Sequence, residues 1–179
     1  MDLNLAEAAR RHAEHTKERL HDEADAYDRT DRVPLPGYAG SLTAFAAAVA
    51  GMTLAGRRKG ARLPERYDLL DVVLGGLATH KFTRLVSKGS VTSPLRAPFT
   101  EFEEPAGSAE LNESARGGTL RHTVGELVTC PFCLGQWVGS AYVAALAVAP
   151  RPARTWAAVF AVTGLSDALQ QVYGRLRED

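Results

Sequence analysis

The chain has 179 residues, enough for one ordinary domain, and its 21 lysines and arginines balance 21 aspartates and glutamates. This balance argues against a basic nucleic-acid-binding module. With 45% hydrophobic residues and only two cysteines, the composition also excludes a disordered chain and a disulfide-rich secreted domain.

The N-terminal part is dense in charge, with fifteen Asp, Glu, Lys or Arg residues among residues 1–32. Opposite charges four residues apart, such as Glu7 and Arg11, would meet on one face of a helix. Two interpretations are open: a solvated helix or partly disordered tail, and a helix that dimerises along a heptad-like stripe. We predict a charged N-terminal helix or tail over residues 1–37, where Pro34 and Pro36 break the chain.

The rest of the chain contains long apolar runs. Residues 38–56 hold no charged side chain over nineteen positions, which is the length of a bilayer-spanning helix. Another uncharged run covers residues 130–150, and further helices are predicted over residues 65–86 and 155–173. Ala, Leu and Gly outnumber the residues that strands prefer. The predicted fold class is therefore all-α: a small helical membrane protein with three to four apolar helices in a domain over residues 38–179. A buried core helix is the alternative for residues 38–56.

Residues 87–122 predict a long irregular loop, because three prolines and the pair Gly117 and Gly118 interrupt any helix. Five glutamates make this loop acidic, and we expect their carboxylates to be solvated rather than catalytic. A capping box that begins at Thr123 predicts the start of the next helix. The basic connector at residues 57–66 and the basic turn at residues 151–154 favour the cytoplasmic side of a membrane, which places the loop outside.

The two cysteines form a Cys130-Pro-Phe-Cys133 motif. If Cys130 caps a helix and Pro131 is its first residue, the helix N-terminus would stabilise a Cys130 thiolate and Cys133 could resolve a mixed disulfide. The same spacing also supplies half of a tetrahedral zinc site, which His122, His80 or a second chain would have to complete. Packing of two small buried thiols is the third interpretation. The sequence leaves all three open.

Ionisable side chains are also predicted on the helix before the loop. His80, Lys81 and Arg84 lie near its end, and with Arg96 they form a predicted interfacial or polar cluster that either binds an ion or headgroup or extends to the membrane surface. Asp71 lies deeper in the same helix and should seek a partner. Lys81 or Arg84 could be that partner only from another helix or chain, because their angular positions prevent contact within this helix.

Residues 129–137, together with the segments at 80–84 and 91–99, resemble a bacterial family of small membrane proteins catalogued as domain of unknown function number thirteen-sixty. The resemblance covers roughly residues 65–173. It implies a helical membrane protein, with a link to sporulation in some Gram-positive relatives, and it implies no established reaction.

The sequence contains no phosphate-binding loop, serine-hydrolase or zincin motif. It therefore predicts a non-enzymatic, membrane-associated structural or interaction module in the bacterial cytoplasmic membrane. The expected partners are the lipid bilayer and either a second copy or another membrane protein, without nucleic acid. The alternative is a membrane redox or metal-binding module that uses Cys130 and Cys133. An enzyme of this kind would be a thiol-disulfide oxidoreductase, and zinc is the one cofactor that the motif suggests.

Overall fold

The computed structural model describes residues 2–27, 35–61, 64–107 and 109–178. Contacts divide the chain into two compact units, Met1–Thr43 and Ala44–Asp179. Helix α1, Asp2–Tyr27, lies in the first unit, and its described side chains are exposed. Helix α2, Leu35–Arg58, begins in the first unit and ends in the second. Of the two prolines predicted to break the chain, Pro34 lies outside the described residues, and Pro36 lies in the first turn of α2, where proline is tolerated.

The second unit continues with helices and one small sheet. In chain order these are α3 (Leu69–Lys88), a 3₁₀ turn (Ser90–Thr92), α4 (Ser93–Arg96), β1 (Thr100–Pro105), β2 (Leu111–Ala115), α5 (Thr119–Thr129), α6 (Pro131–Val148) and α7 (Pro150–Glu178).

Helices α3 and α7 begin at different residues from those predicted. Helix α3 begins at Leu69 rather than at residue 65, because the Asp68 carboxylate accepts the backbone N–H of Leu70 at 2.9 Å and caps the helix. Helix α7 already begins at Pro150, so the predicted basic turn at residues 151–154 is wrong. Proline is tolerated in a first helical turn, where its missing N–H would have no partner. The four residues thus carry their arginines on a helix.

The core of the second unit lies between α3, α6 and α7. It is built from Ala78, Tyr142, Ala153 and Ala157, and larger side chains such as Leu74 and Trp156 pack around it. Alanines at the contact let the helix backbones approach closely.

Two ion pairs show the relative direction of α3 and α7. Asp71 near the start of α3 pairs with Arg154 of α7, and further along both helices Lys81 pairs with Asp167. Helices α3 and α7 therefore run parallel.

The prediction of an irregular loop over residues 87–122 is wrong. Strands β1 and β2 pair antiparallel, with Thr100 opposite Ala115 and Pro105 opposite Leu111, and the register shifts between Phe102 and Glu104. The prolines do not prevent this hairpin, because Pro105 is the last residue of its strand. Hydrogen bonds between the two strands form the hairpin, and the composition of the segment does not reveal them.

The hairpin lies between α4 and α5 in the chain and contacts the end of α3 and α5. At its turn, the backbone N–H of Ser90 donates to Ala109 O at 2.9 Å, which holds the turn beside the end of α3. At its base, a Cβ added to Gly125 of α5 would lie 2.6 Å from Phe99 O, so only glycine permits this close approach. Helix α5 begins at Thr119 after an N-cap at Gly118, and the predicted capping box at Thr123 is wrong.

Candidate functional site

The CPFC motif forms the first turn of α6. Cys130 is the N-cap residue, Pro131 is the first helical residue, and the backbone N–H of Cys133 donates to Cys130 Sγ at 3.1 Å. Cys130 is half-buried, Cys133 is exposed, and both are free thiols. The predicted placement of this motif at a helix start is therefore confirmed. This geometry directs a backbone donor and the positive end of the helix dipole at the Cys130 sulfur.

The side chains proposed to complete a zinc site lie on different elements. His122 Nε2 is 3.6 Å from Glu126 Oε1, one turn further along α5. His80 is exposed on α3. Within the described ranges, no three His, Cys, Asp or Glu side chains are grouped so that they could hold a metal ion. The arrangement of these side chains thus adds no support for metal binding.

The lysine and the two arginines of the predicted polar cluster each meet a different carboxylate. Lys81 pairs with Asp167 of α7, and Arg84 makes two hydrogen bonds to Glu110, at 3.0 and 2.5 Å. The Glu110 carboxylate raises the pKa of Arg84 by accepting these bonds, against a smaller opposing effect of burial. These contacts tie α3 to α7 on one side and to the turn of the hairpin on the other.

Arg96 makes more hydrogen bonds than the other residues of this cluster, and only 1% of its side chain is exposed. Its Nε and Nη2 donate to the two carboxylate oxygens of Glu113 at 2.6 and 3.1 Å. The other N–H groups reach Val86 O, Thr92 Oγ1 and Gly89 O at 2.6, 2.8 and 3.0 Å. All five guanidinium donors are therefore used inside the protein.

Glu113 is buried with Arg96, since 5% of its side chain is exposed, and it also accepts a hydrogen bond from Thr100 Oγ1 at 3.3 Å. The expectation that all five glutamates of residues 87–122 are solvated is wrong for Glu113 and Glu110, which form ion pairs. It holds for Glu101, Glu103 and Glu104, which are exposed. The acidic composition of this segment does not distinguish the ion-paired glutamates from the exposed ones, because their environment depends on which face of the hairpin meets α3 and α4.

Asp71 has the partner that its position in an apolar helix required, but the partner is Arg154 rather than Lys81 or Arg84. Arg154 Nε and Nη2 donate to its two oxygens at 2.8 and 2.7 Å, and the Tyr142 hydroxyl donates to Asp71 O at 3.0 Å. The hydrogen bonds from Arg154 lower the pKa of Asp71 below its usual value, and burial opposes this effect. Sequence reasoning missed Arg154 because it assigned the residue to a connector.

The described residues thus define a mostly helical protein with two helices, α2 and α6, that are long and apolar enough to cross a membrane. Residues 74–173 match the family described as "Protein of unknown function (DUF1360)", and the chain belongs to this family, which confirms the resemblance of its motifs.

One relative is "Sporulation protein YjcA" of Bacillus subtilis (strain 168). It is 28% identical over 109 residues, which cover 59% of this chain and 92% of that protein. No solved structure matches the chain.

Proposed function

We propose that this protein is a non-enzymatic structural or interaction module that is integral to the bacterial cytoplasmic membrane. The observation that carries the proposal is the unburied apolar surface of α2 and α6. In the most apolar stretch of each helix, 0% and 6% of the residues are buried inside the protein. A core helix of a soluble protein would bury most of such a stretch, whereas a lipid-facing helix leaves it exposed.

The lengths of these helices agree with this proposal. Helix α6 has 18 residues and α2 has 24, which correspond to about 27 and about 36 Å at the rise of an α-helix. A bilayer core is about 30 Å thick. Either helix can therefore span it, with some tilt for α2.

The charged residues that accompany the apolar helices support a structural role. Lys81 and Asp167 neutralise each other between α3 and α7, and Asp71 and Arg154 do so near the beginnings of the same helices. Charged side chains are costly inside a membrane protein and tend to pair with one another there. A sporulation role is named for the Bacillus subtilis relative, and we propose a membrane function during sporulation as the setting for this module.

Membrane extraction tests the proposal. Membranes from cells that express the full chain should retain the protein through high-salt and alkaline carbonate washes and release it in detergent. Val143→Asp should lower the retained fraction, because an aspartate near the centre of a spanning helix costs about 3 kcal/mol. Leu120→Asp is the matched control, since Leu120 is an exposed apolar residue on α5, outside both apolar helices. Recovery of the unchanged protein in the soluble fraction without detergent contradicts the proposal.

A second candidate function is thiol-disulfide exchange, favoured by the hydrogen bond from the Cys133 N–H to Cys130 Sγ. In this reaction the two thiols give up two protons and two electrons to the disulfide of a partner, which is reduced to two thiols. We expect a small disulfide such as oxidised glutathione to remove both free thiols together, and dithiothreitol to restore them. Cys130→Ser should prevent this cycle. If zinc copurifies and a chelator is needed before either thiol reacts, the pair binds metal, and this candidate fails.

A further inference from the structure

A long groove lies between α2 and α6 in the second unit. Near one end of it, the rings of Phe45 and Trp137 make an edge-to-face contact, at 5.2 Å between ring centroids. Towards the other end, a Cβ on Gly56 would lie 4.0 Å from the side chain of Val148. Between these contacts the helices leave a space of about 760 Å³, which is within the range of ligand sites.

The lining of this groove is mostly apolar and carries a positive charge. Val49 and Met52 of α2 face Val143 and Ala147 of α6, while Gly139 leaves room in the middle. A Cβ added at Gly139 meets no other heavy atom within 4 Å, so the space beside it is open. Arg57 also lines the groove, and no aspartate or glutamate of the described residues does.

The charged end of the groove coincides with the basic end of both helices. The contacts of Phe45 with Trp137 and of Gly56 with Val148 occur in the same order along the chain, so α2 and α6 run parallel. Their C-terminal ends therefore lie together. Arg58 and Lys59 follow Arg57 at this end and are exposed, and Arg151 follows the end of α6. Within the described residues, no ion pair engages Arg57.

We propose that this groove binds an anionic phospholipid, with an acyl chain along the apolar lining and the phosphate at Arg57. The inference rests on the proposed membrane location, which supplies the lipid and places the basic end at the headgroups. Basic sites between helices at the cytoplasmic face are suited to anionic headgroups. A second copy of the chain fits less well, because its identical groove would bring another arginine and no carboxylate.

Native mass spectrometry of the full chain in detergent tests this inference with two probes, phosphatidylglycerol and phosphatidylcholine, which differ in headgroup charge. We expect the protein to retain one phosphatidylglycerol with about tenfold preference. Arg57→Gln should reduce that preference about fivefold, the typical effect of one basic residue at a lipid surface. Arg10→Gln with Arg11→Gln is the charge control, because both residues are exposed on α1. This double variant should keep the full preference.

A second variant tests the acyl-chain part of the groove independently of charge. Gly139→Leu should fill the space and reduce retention of both lipids. Gly76→Leu is its matched control, since a Cβ at Gly76 of α3 also meets no heavy atom within 4 Å but lies outside the groove. Circular dichroism should show the same helix content for both leucine variants, so that a loss of lipid reports on the groove.

Several outcomes overturn the inference. Equal retention of the two lipids, or an unchanged preference in Arg57→Gln, excludes headgroup recognition. Loss of a dimer in Gly139→Leu, with lipid retention unchanged, assigns the groove to a second copy. The same preparation separates this inference from the proposed function: a protein that needs detergent but shows no lipid preference contradicts only the groove, whereas one that is soluble without detergent contradicts the membrane location.

Discussion

Arg96 and Glu113 form a buried two-point ion pair that joins α4 to the second strand of the hairpin. The remaining N–H groups of the guanidinium donate to Val86 O, Gly89 O and Thr92 Oγ1. Val86 O is one of the last four carbonyls of α3, which have no backbone partner within the helix. One side chain therefore connects the end of a helix to the hairpin.

Arg96→Met should reduce the free energy of unfolding by about 3–5 kcal/mol, because it leaves the Glu113 carboxylate buried without a counter-charge. Chemical denaturation in detergent measures this change. Arg96→Lys should recover part of the loss, since lysine restores the charge but not the five fixed donors. Arg116→Met is the control: Arg116 is an exposed arginine that makes one hydrogen bond to Ala97 O, and its loss should cost less than about 1 kcal/mol. If Arg96→Met and Arg116→Met reduced the free energy of unfolding by the same amount, the buried pair would not position the hairpin.

Gly75→Ala should destabilise the contact of α3 with α6. A Cβ at this position would lie 2.2 Å from the Tyr142 ring, so the ring must move away from its hydrogen bond to Asp71 O. Overpacking of this kind costs about 1–3 kcal/mol. Gly76→Ala, on the next residue with open space around it, should instead be neutral or stabilising by up to about 1 kcal/mol. Thermal unfolding of both variants checks the difference, and similar melting temperatures would contradict the close packing of α3 on Tyr142.

The pair of Asp71 with Arg154 should make stability depend on pH in the acidic range. The pKa of Asp71 is lowered in the folded protein, so its contribution is complete above the unfolded value of about 3.9 and is lost as the pH falls through the folded value. Melting temperatures between pH 2 and pH 6 should therefore fall less steeply in Asp71→Asn than in the wild type. Glu101→Gln, which removes an exposed carboxylate from β1, should keep the wild-type slope. If the melting temperature of Asp71→Asn fell with pH as steeply as that of the wild type, the pair of Asp71 with Arg154 would be excluded as a source of the pH dependence.

The parallel arrangement of α2 and α6 also predicts the orientation in the membrane. Arg57, Arg58 and Arg151 lie at one end, which the positive-inside rule assigns to the cytoplasm, and the hairpin lies beside the opposite end of α3. In a variant without native cysteines, a membrane-impermeant maleimide should label Glu103→Cys on intact cells. It should label Lys59→Cys only after the cells are opened. The reverse pattern would invert the topology.

Several features of the fold could be predicted from the sequence because they depend on neighbouring residues. The uncharged runs indicated α2 and α6, and Cys130 with Pro131 indicated the start of α6. The motifs around these positions also identified the family. Helix periodicity, proline at a first turn and the length of an apolar run are local properties, and a sequence displays them directly.

The pairings that hold the second unit together were decided only by the tertiary structure. Asp71 and Arg154 are 83 residues apart, Lys81 and Asp167 are 86 apart, and Arg96 and Glu113 are 17 apart. The position of Asp71 in an apolar helix indicated that its carboxylate needs a basic partner, yet several lysines and arginines could have been that partner. The hairpin likewise depends on hydrogen bonds between two strands with weak individual preference for β structure. The sequence specified which groups require a partner, and the packing of α3 on α7 and on the hairpin determined which partner each group met, because charge pairing is set by distance in space.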